Sequence, residues 1–235
     1  MAVVVEDFRP YEHSSVWRLH SAYFAACGGR AWTRKEIPSL ATSSYAMARQ
    51  HARVLVALVA DLVDAGVLGA DDEVRVLEVG SGLGRFAAHL FLALERHCGP
   101  AGVALRERLR YVLSDYAPRT VRDAIALPPL ADLHRAGRIV PARLDLCQPD
   151  ELVDLDGAAV TAPLTAVFAN YVCCALPPRV LRKSPEGMYQ RLARLAVEPP
   201  RGVGDGKTAA EIWREMLEDP ARPGLMNAVQ LTFGW

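Results

Sequence analysis

Lysine is nearly missing from this 235-residue sequence: three of the 27 basic residues are Lys and the rest are Arg. That skew fits a genome's base composition and carries no function. A surplus of either charge is also missing, because 27 acidic residues balance the 27 basic ones. Proteins that coat nucleic acid depend on excess positive charge along one face, so no nucleic-acid partner is expected. No long apolar run is present. The longest uncharged stretch, Gly157–Pro178, is broken by Pro163, Asn170, Pro177 and Pro178. It suits a buried strand with flanking loops better than a membrane span, and no membrane partner is expected. The opening MAVVVEDFRP has too short an apolar core for a signal peptide and is too acidic for a transit peptide.

Paired cysteine motifs are absent too. Cys27, Cys98, Cys147, Cys173 and Cys174 make no CxxC and no metal-ligand spacing. Adjacent Cys173 and Cys174 bridge each other only under strain, so reduced thiols and a cytoplasmic location are expected. The histidines are scattered; His89 and His97, eight apart on one predicted helix, stand too far apart to share a metal. No metal site is expected. Trp17, Trp32 and Tyr23 have helical surroundings and read first as core, with a pocket lid as the second reading.

What remains is a chain with 51% hydrophobic and 23% charged residues, enough to bury a sizeable core. From Tyr11 to Leu68 the pattern is helical: Val54, Leu55, Leu58, Val59, Leu62 and Val63 recur at helical spacing, Ser43 and Ser44 are candidate caps, and Gly66 is a stop. Beyond Asp71 short apolar runs alternate with amphipathic segments, the pattern of a parallel sheet with crossover helices. The runs are Val74–Val79, Tyr111–Leu113, Arg138–Val140 and Leu164–Ala169; the helical segments are Gly84–His97, Pro118–Ala136 and Asp150–Leu155. After Pro177 prolines crowd, Glu198–Gly206 reads as a loop, Thr208–Leu217 as a helix and Val229–Phe233 as a strand. The expected division is a helical amino-terminal extension over 1–70, a Rossmann-like domain over 71–190 and a proline- and glycine-rich segment over 191–235.

The informative segment is VLEVGSGLGRFAAHL, Val76–Leu90. A strand ends at Glu78, glycines follow at Gly80, Gly82 and Gly84, and a helix begins at once. A turn without β-carbons lets a ligand touch the backbone, and the free N–H groups at the helix start attract negative groups. The dinucleotide fingerprint G-x-G-x-x-G is not met, because the third glycine comes one residue early and Arg85 stands in its place. This disfavours a nicotinamide-dependent oxidoreductase. A carboxylate at Glu78 would repel a pyrophosphate but suits an ammonium group. A ligand with an amino-acid end and an adenosine end matches both features, which points to S-adenosylmethionine, with Ser81 inside the turn. Asp115 closes the next apolar run, where an acid either accepts both ribose hydroxyls or caps the helix at Pro118. Asp145 either accepts from the adenine amino group, with Leu146 against the ring, or is a solvated loop residue.

Together these residues resemble the class I S-adenosylmethionine-dependent methyltransferases: LEVGSGLG is similar to their first motif, Asp115 to their second and Asp145, more loosely, to their third. The resemblance implies a Rossmann-like α/β sheet with helices on both faces. Around Asn170-Tyr171-Val172-Cys173-Cys174-Ala175-Leu176-Pro177 the chain resembles the MidA-type family, whose usual reading is N-E-x-x-D-A-L-P. Asn170 joins the cofactor set on that basis. Tyr171 and Cys174 replace the usual Glu and Asp, and two neutral groups do not neutralise a buried guanidinium. The methyl acceptor, protein side chain or small molecule, therefore stays open, and no residue is assigned to catalysis. The alternative is a catalytically inactive relative serving as an interaction or assembly module. Only four sheet strands are legible, so an incomplete carboxyl-terminal half is expected, with an open edge met by a second copy or a partner subunit.

Overall fold

The computed structural model describes residues 2–34, 40–198, 206–222 and 224–235. The chain begins with β1 (Val3–Pro10), α1 (Val16–Cys27), the one-turn α2 (Arg30–Thr33) and α3 (Tyr45–Asp64). Next come β2 (Val74–Val79), α4 (Arg85–His97), α5 (Gly99–Arg108), β3 (Leu109–Asp115), α6 (Pro118–Ile125), α7 (Leu130–Arg135) and β4 (Ile139–Arg143). Then follow β5 (Val153–Asp154), β6 (Ala166–Phe168), β7 (Leu181–Ser184), β8 (Gly187–Gln190), β9 (Leu192–Val197), α8 (Ala209–Glu218) and β10 (Val229–Gly234). No described helix is long and apolar enough to cross a membrane.

Two compact units divide these elements: Gly28–Cys173, and a composite of Met1–Cys27 with Cys174–Trp235. The expected boundaries at 70 and 190 fall elsewhere. The amino-terminal stretch is not a helical extension, since it opens with β1 and its helices go to different units. Within 191–235 the expected helix and strand are present as α8 and β10, and β9 is added to them. The loop expected at Glu198–Gly206 lies, apart from its two ends, outside the described residues.

In the contiguous unit the sheet order is β5-β4-β3-β2-β6. β4, β3, β2 and β6 run parallel, and the short β5 is antiparallel to β4. Order therefore reverses at β2: the chain steps outward through β3 and β4, then returns to β2's other side with β6. Such switch points are where open α/β sheets take ligands, beyond the carboxyl ends of the strands. α3 is set by Ser44, whose Oγ accepts from Met47 N at 3.3 Å, and buries Ala48, Ala52, Leu55 and Val59 along one stripe. Ala52, Leu55 and Val59 pack with residues of α4, α5, α6 and α7 against Val74, Val76, Tyr111 and Ile139.

The other face holds Leu77, Val79, Val112 and Ala142, covered by Leu144, Leu146, Leu152, Val160 and Val172 from loops. Among the described residues no helix joins that cluster, so the expectation of helices on both faces is corrected. Helices α4 to α7 belong to crossovers on one side of β2 and pack on one face. After β6 the chain leaves this unit and supplies no crossover for the other. Two helical expectations also change. Pro118–Ala136 is split into α6 and α7 at Pro128-Pro129, where helix propagation stops. Asp150–Leu155 is instead β5, because Asp154 Oδ1 accepts from Asp156 N (2.9 Å) and Ala158 N (2.8 Å) and holds a turn.

The composite unit is a three-stranded antiparallel sheet, β1-β9-β10, with β9 central, beside the hairpin β7-β8. Leu19 of α1 and Ile212 and Met216 of α8 bury against Val197 and Leu225. Thr208 caps α8 with a full capping box through Glu211.

Candidate functional site

β2 delivers Glu78 at its carboxyl end, and the turn that follows has three left-handed glycines: Gly80 (φ 66°), Gly82 (φ 55°) and Gly84 (φ 66°). The turn closes on itself through Gly84 N donating to Ser81 O at 2.9 Å. It is tied to β3 by Ser81 N to Ser114 O at 2.9 Å and by Ser114 Oγ to Glu78 O at 2.7 Å. α4 starts immediately after Gly84 with no side-chain cap. A Cβ at Gly84 would lie 2.6 Å from Leu130 Cδ1, so that glycine serves packing beneath the turn. Gly82 is buried and Gly80 is exposed, so the backbone opens to solvent at Gly80.

Glu78 is buried, 4% exposed, and its Oε2 accepts from Tyr111 Oη at 2.9 Å. Burial pushes the carboxyl up to about 8; the Tyr111 hydrogen bond opposes the rise and nearby Asp115 adds to it. At neutral pH the group keeps its proton, so the negative charge expected at Glu78 is not standing there. Tyr111 is itself pushed well up by burial and by Glu78. Asp115, 5% exposed, holds backbone: Oδ2 accepts from Gly82 N at 3.2 Å and Oδ1 from Ala117 N at 3.1 Å. Burial raises it to about 6 against the pull of the Ala117, Gly82 and Tyr116 N–H groups. Asp115 thus sits at the strand end and ties down the segment leading into α6, which has no side-chain cap.

Ser81 is buried and its Oγ has no hydrogen-bond partner among the described residues. A buried hydroxyl without a partner costs about 1–3 kcal/mol, and here it lies inside the glycine turn. Asp145 is near by chain connection: Leu144 N donates to Asp115 O at 3.1 Å, and Asp145 Oδ1 then accepts from Cys147 N at 2.9 Å. Leu146 packs on the loop-covered face beside Leu77 and Val79. Asn170 Nδ2 donates to Thr42 O and lies 3.4 Å from Met47 Sδ, which ties the end of β6 to the start of α3. Glu78, Gly80, Ser81, Gly82, Gly84 and Asp115 are thus brought together, Asp145 stands beside them, Leu146 is engaged in packing, and Asn170 is engaged in hydrogen bonding to Thr42.

Two neighbours escaped sequence reasoning. Tyr111 could have been found, because its phenol stands in the apolar run Tyr111–Leu113, and a buried phenol needs a partner. Val172, which lies against Gly80, carries no such signal; Trp32, read first as core and second as a pocket lid, lies against Gly82. Tyr171, beside Val172, has a left-handed backbone (φ 56°) and a ring 64% exposed. Cys173 and Cys174 are exposed and form no disulfide. Among the described residues no group of His, Cys, Asp and Glu is arranged to hold a metal ion.

No family model matches the chain, and no curated protein matches it. Solved structures do. One is an uncharacterized ACR, COG1565 superfamily protein from Burkholderia thailandensis, at 20% identity and TM-score 0.45 over 88% of this chain and 47% of that one. Another is a COG1565 superfamily member from the same organism, described as a candidate methyl transferase and bound to S-adenosyl-homocysteine. It matches at 19% identity and TM-score 0.39, over 88% of this chain and 49% of that one. The chain spans about half the length of these proteins.

Proposed function

We propose that this chain binds S-adenosylmethionine at the Gly80–Gly84 turn and transfers its methyl group to an acceptor. The observation that carries this is the placement of a three-glycine, left-handed turn with the orphaned Ser81 hydroxyl at the carboxyl end of β2, where strand order reverses. The donors fit an amino-acid and nucleoside ligand: Gly80 offers exposed backbone, Ser81 Oγ a free hydroxyl, Asp115 an acid at the ribose position of the second strand, and Glu78 a carboxyl beneath the amino-acid end. Asp145 and Leu146 would meet the adenine, and Asn170 would border the site from β6. The bound cofactor supplies an electrophilic methyl on a sulfonium. The chain's part is to orient that group and exclude water. The acceptor is a protein side chain or a small molecule, and the reduced state of the five cysteines fits the cytoplasm. The outer edge of β6 is the place for a second copy or partner subunit to pair.

A second reading is favoured by one specific observation. The turn's own donor at Gly82 and the acid at Glu78 already have intramolecular partners, Asp115 and Tyr111. A fold satisfied in this way serves as a catalytically inactive interaction module. Calorimetry with S-adenosylmethionine tests the site: saturable heat at one ligand per chain is expected, and no heat at millimolar ligand would end the reading. Transfer of radiolabelled methyl into cell extract separates the two functions, since binding without label selects the inactive module.

A further inference from the structure

The open side of Gly82 is covered by this chain. An atom built on that glycine's Cα in the Cβ position would lie 2.8 Å from Trp32 Cε2, 2.9 Å from Nε1 and 3.0 Å from Cζ2. The indole therefore rests on the glycine at contact distance, with no layer left for another molecule. A side chain that merely walled a ligand site would stand beside the glycine and leave its face bare. Here the glycine is buried beneath the ring.

Trp32 is brought there by a defined joint. Gly29 N donates to Asp123 Oδ2 on α6 at 2.8 Å, and a Cβ at Gly29 would lie 2.6 Å from Leu83 Cδ2, a side chain of the same turn. α2 itself is a single four-residue turn without a side-chain cap, and one turn contributes little helix stability of its own. The ring is thus aimed by a strong anchor at Gly29 and carried on an element that moves cheaply beyond it.

We propose that Trp32 is a displaceable plug of the glycine turn: it takes the ligand's place against Gly82 in the free chain and swings out when the ligand binds. This rests on the reading of the turn as the S-adenosylmethionine site. Because the plugged form does not bind, the apparent affinity is reduced by the fraction of chains that are open.

The test titrates S-adenosylmethionine and S-adenosyl-homocysteine by calorimetry into the wild-type chain, Trp32→Ala and Trp32→Phe, each checked for folding by circular dichroism. Trp32→Ala is expected to bind both ligands about tenfold more tightly, and Trp32→Phe, which keeps a smaller ring, by a lesser factor. Should Trp32→Ala not fold, the wild-type chain still decides. Ligand should shift tryptophan emission to the red as the indole enters water, and that shift should vanish in Trp32→Phe. Equal or weaker binding by Trp32→Ala, or an unshifted emission on saturation, overturns the plug while leaving the ligand site standing. Absence of binding by all three folded proteins overturns the plug together with the site it covers.

Discussion

The two units of this chain bury different things. Six polar or charged residues are buried among the described ones, and five of them, Glu78, Ser81, Ser114, Asp115 and Thr120, belong to the contiguous unit. All five lie at the carboxyl ends of β2 and β3 or in the first turn of α6. The composite unit buries Ser14 alone. Burying polar groups costs free energy unless they are fully paired, so a fold that concentrates them at one sheet end keeps them for what that end does. Packing alone accounts for the composite unit. The contiguous unit gathers its buried polar groups around the glycine turn, where the proposed site lies.

That contrast breaks or holds first on pH. An unfolded chain gives up the Glu78 proton near 4.5, whereas the folded chain holds it to about 8. Between those values the folded state binds the extra proton, so stability falls as pH rises, by about 1.4 kcal/mol per unit. Asp115 contributes a fall of the same sign between 3.8 and about 6. Urea midpoints should therefore drop steadily from pH 5 to pH 8. Glu78→Gln, which keeps an acceptor for Tyr111, should flatten the curve between pH 6 and pH 8. Parallel curves for the two proteins would show that Glu78 is not the buried acid of this site.

The composite unit should answer differently. Leu19 is fully buried among Val197, Ile212, Met216 and Leu225, and Leu19→Ala should cost about 3 kcal/mol by removing methyl groups and leaving a cavity. Among the described residues no carboxyl joins that core, so the loss should be the same at pH 7 and pH 8 in urea titrations, above the range in which His20 of α1, its imidazole held low by burial, titrates. A loss that changes with pH would undo the distinction between the units.

The same contrast explains what the sequence disclosed. β2, β3 and β4 were legible because each is a short apolar run joined to its neighbour by a helix of recognisable period. The turn was legible because glycine spacing and Glu78 are local. β1 and β9 pair residues from opposite ends of the chain, Val3 with Val197, and no local pattern announces such a partner; β10 was legible as a strand over Val229–Phe233, though its pairing with β9 was not. Only the alternation of Leu192–Val197, buried at Ala193, Leu195 and Val197, marked β9, and the surrounding prolines obscured it. α5 was hidden in a similar way: Gly99, Pro100 and Gly102 read as punctuation, although proline is well placed at a helix start. Within the site, Glu78 and Asp115 were expected to face a ligand, yet each has a partner inside the fold. Tyr111 reaches Glu78 only through the parallel register that sets Val76 beside Tyr111, a relation between strands that neither strand contains.

Tyr111→Phe sharpens the picture at smaller scale. It leaves Glu78 Oε2 buried without its donor, which should cost about 1–2 kcal/mol at pH 7. The hydroxyl also favours the charged form of Glu78, so its loss should move the falling limb of the pH curve to higher pH. An unchanged urea midpoint would place the phenol in water.

The smallest effect is expected where the contiguous unit ends. Tyr171 has a left-handed backbone, φ 56°, which costs a non-glycine residue roughly 1–2 kcal/mol. Tyr171→Gly removes that strain but adds freedom to the unfolded chain worth about 0.5–1 kcal/mol. The two nearly offset each other, so thermal melting should show a gain of no more than about 1 kcal/mol. A clear loss instead would mean that the tyrosine ring holds this segment in place, and with it the Val172 side chain that a Cβ at Gly80 would meet at 2.7 Å. In that case the residue standing where the MidA-type pattern has Glu would be a support of the glycine turn, and its role would be to shape the site from behind.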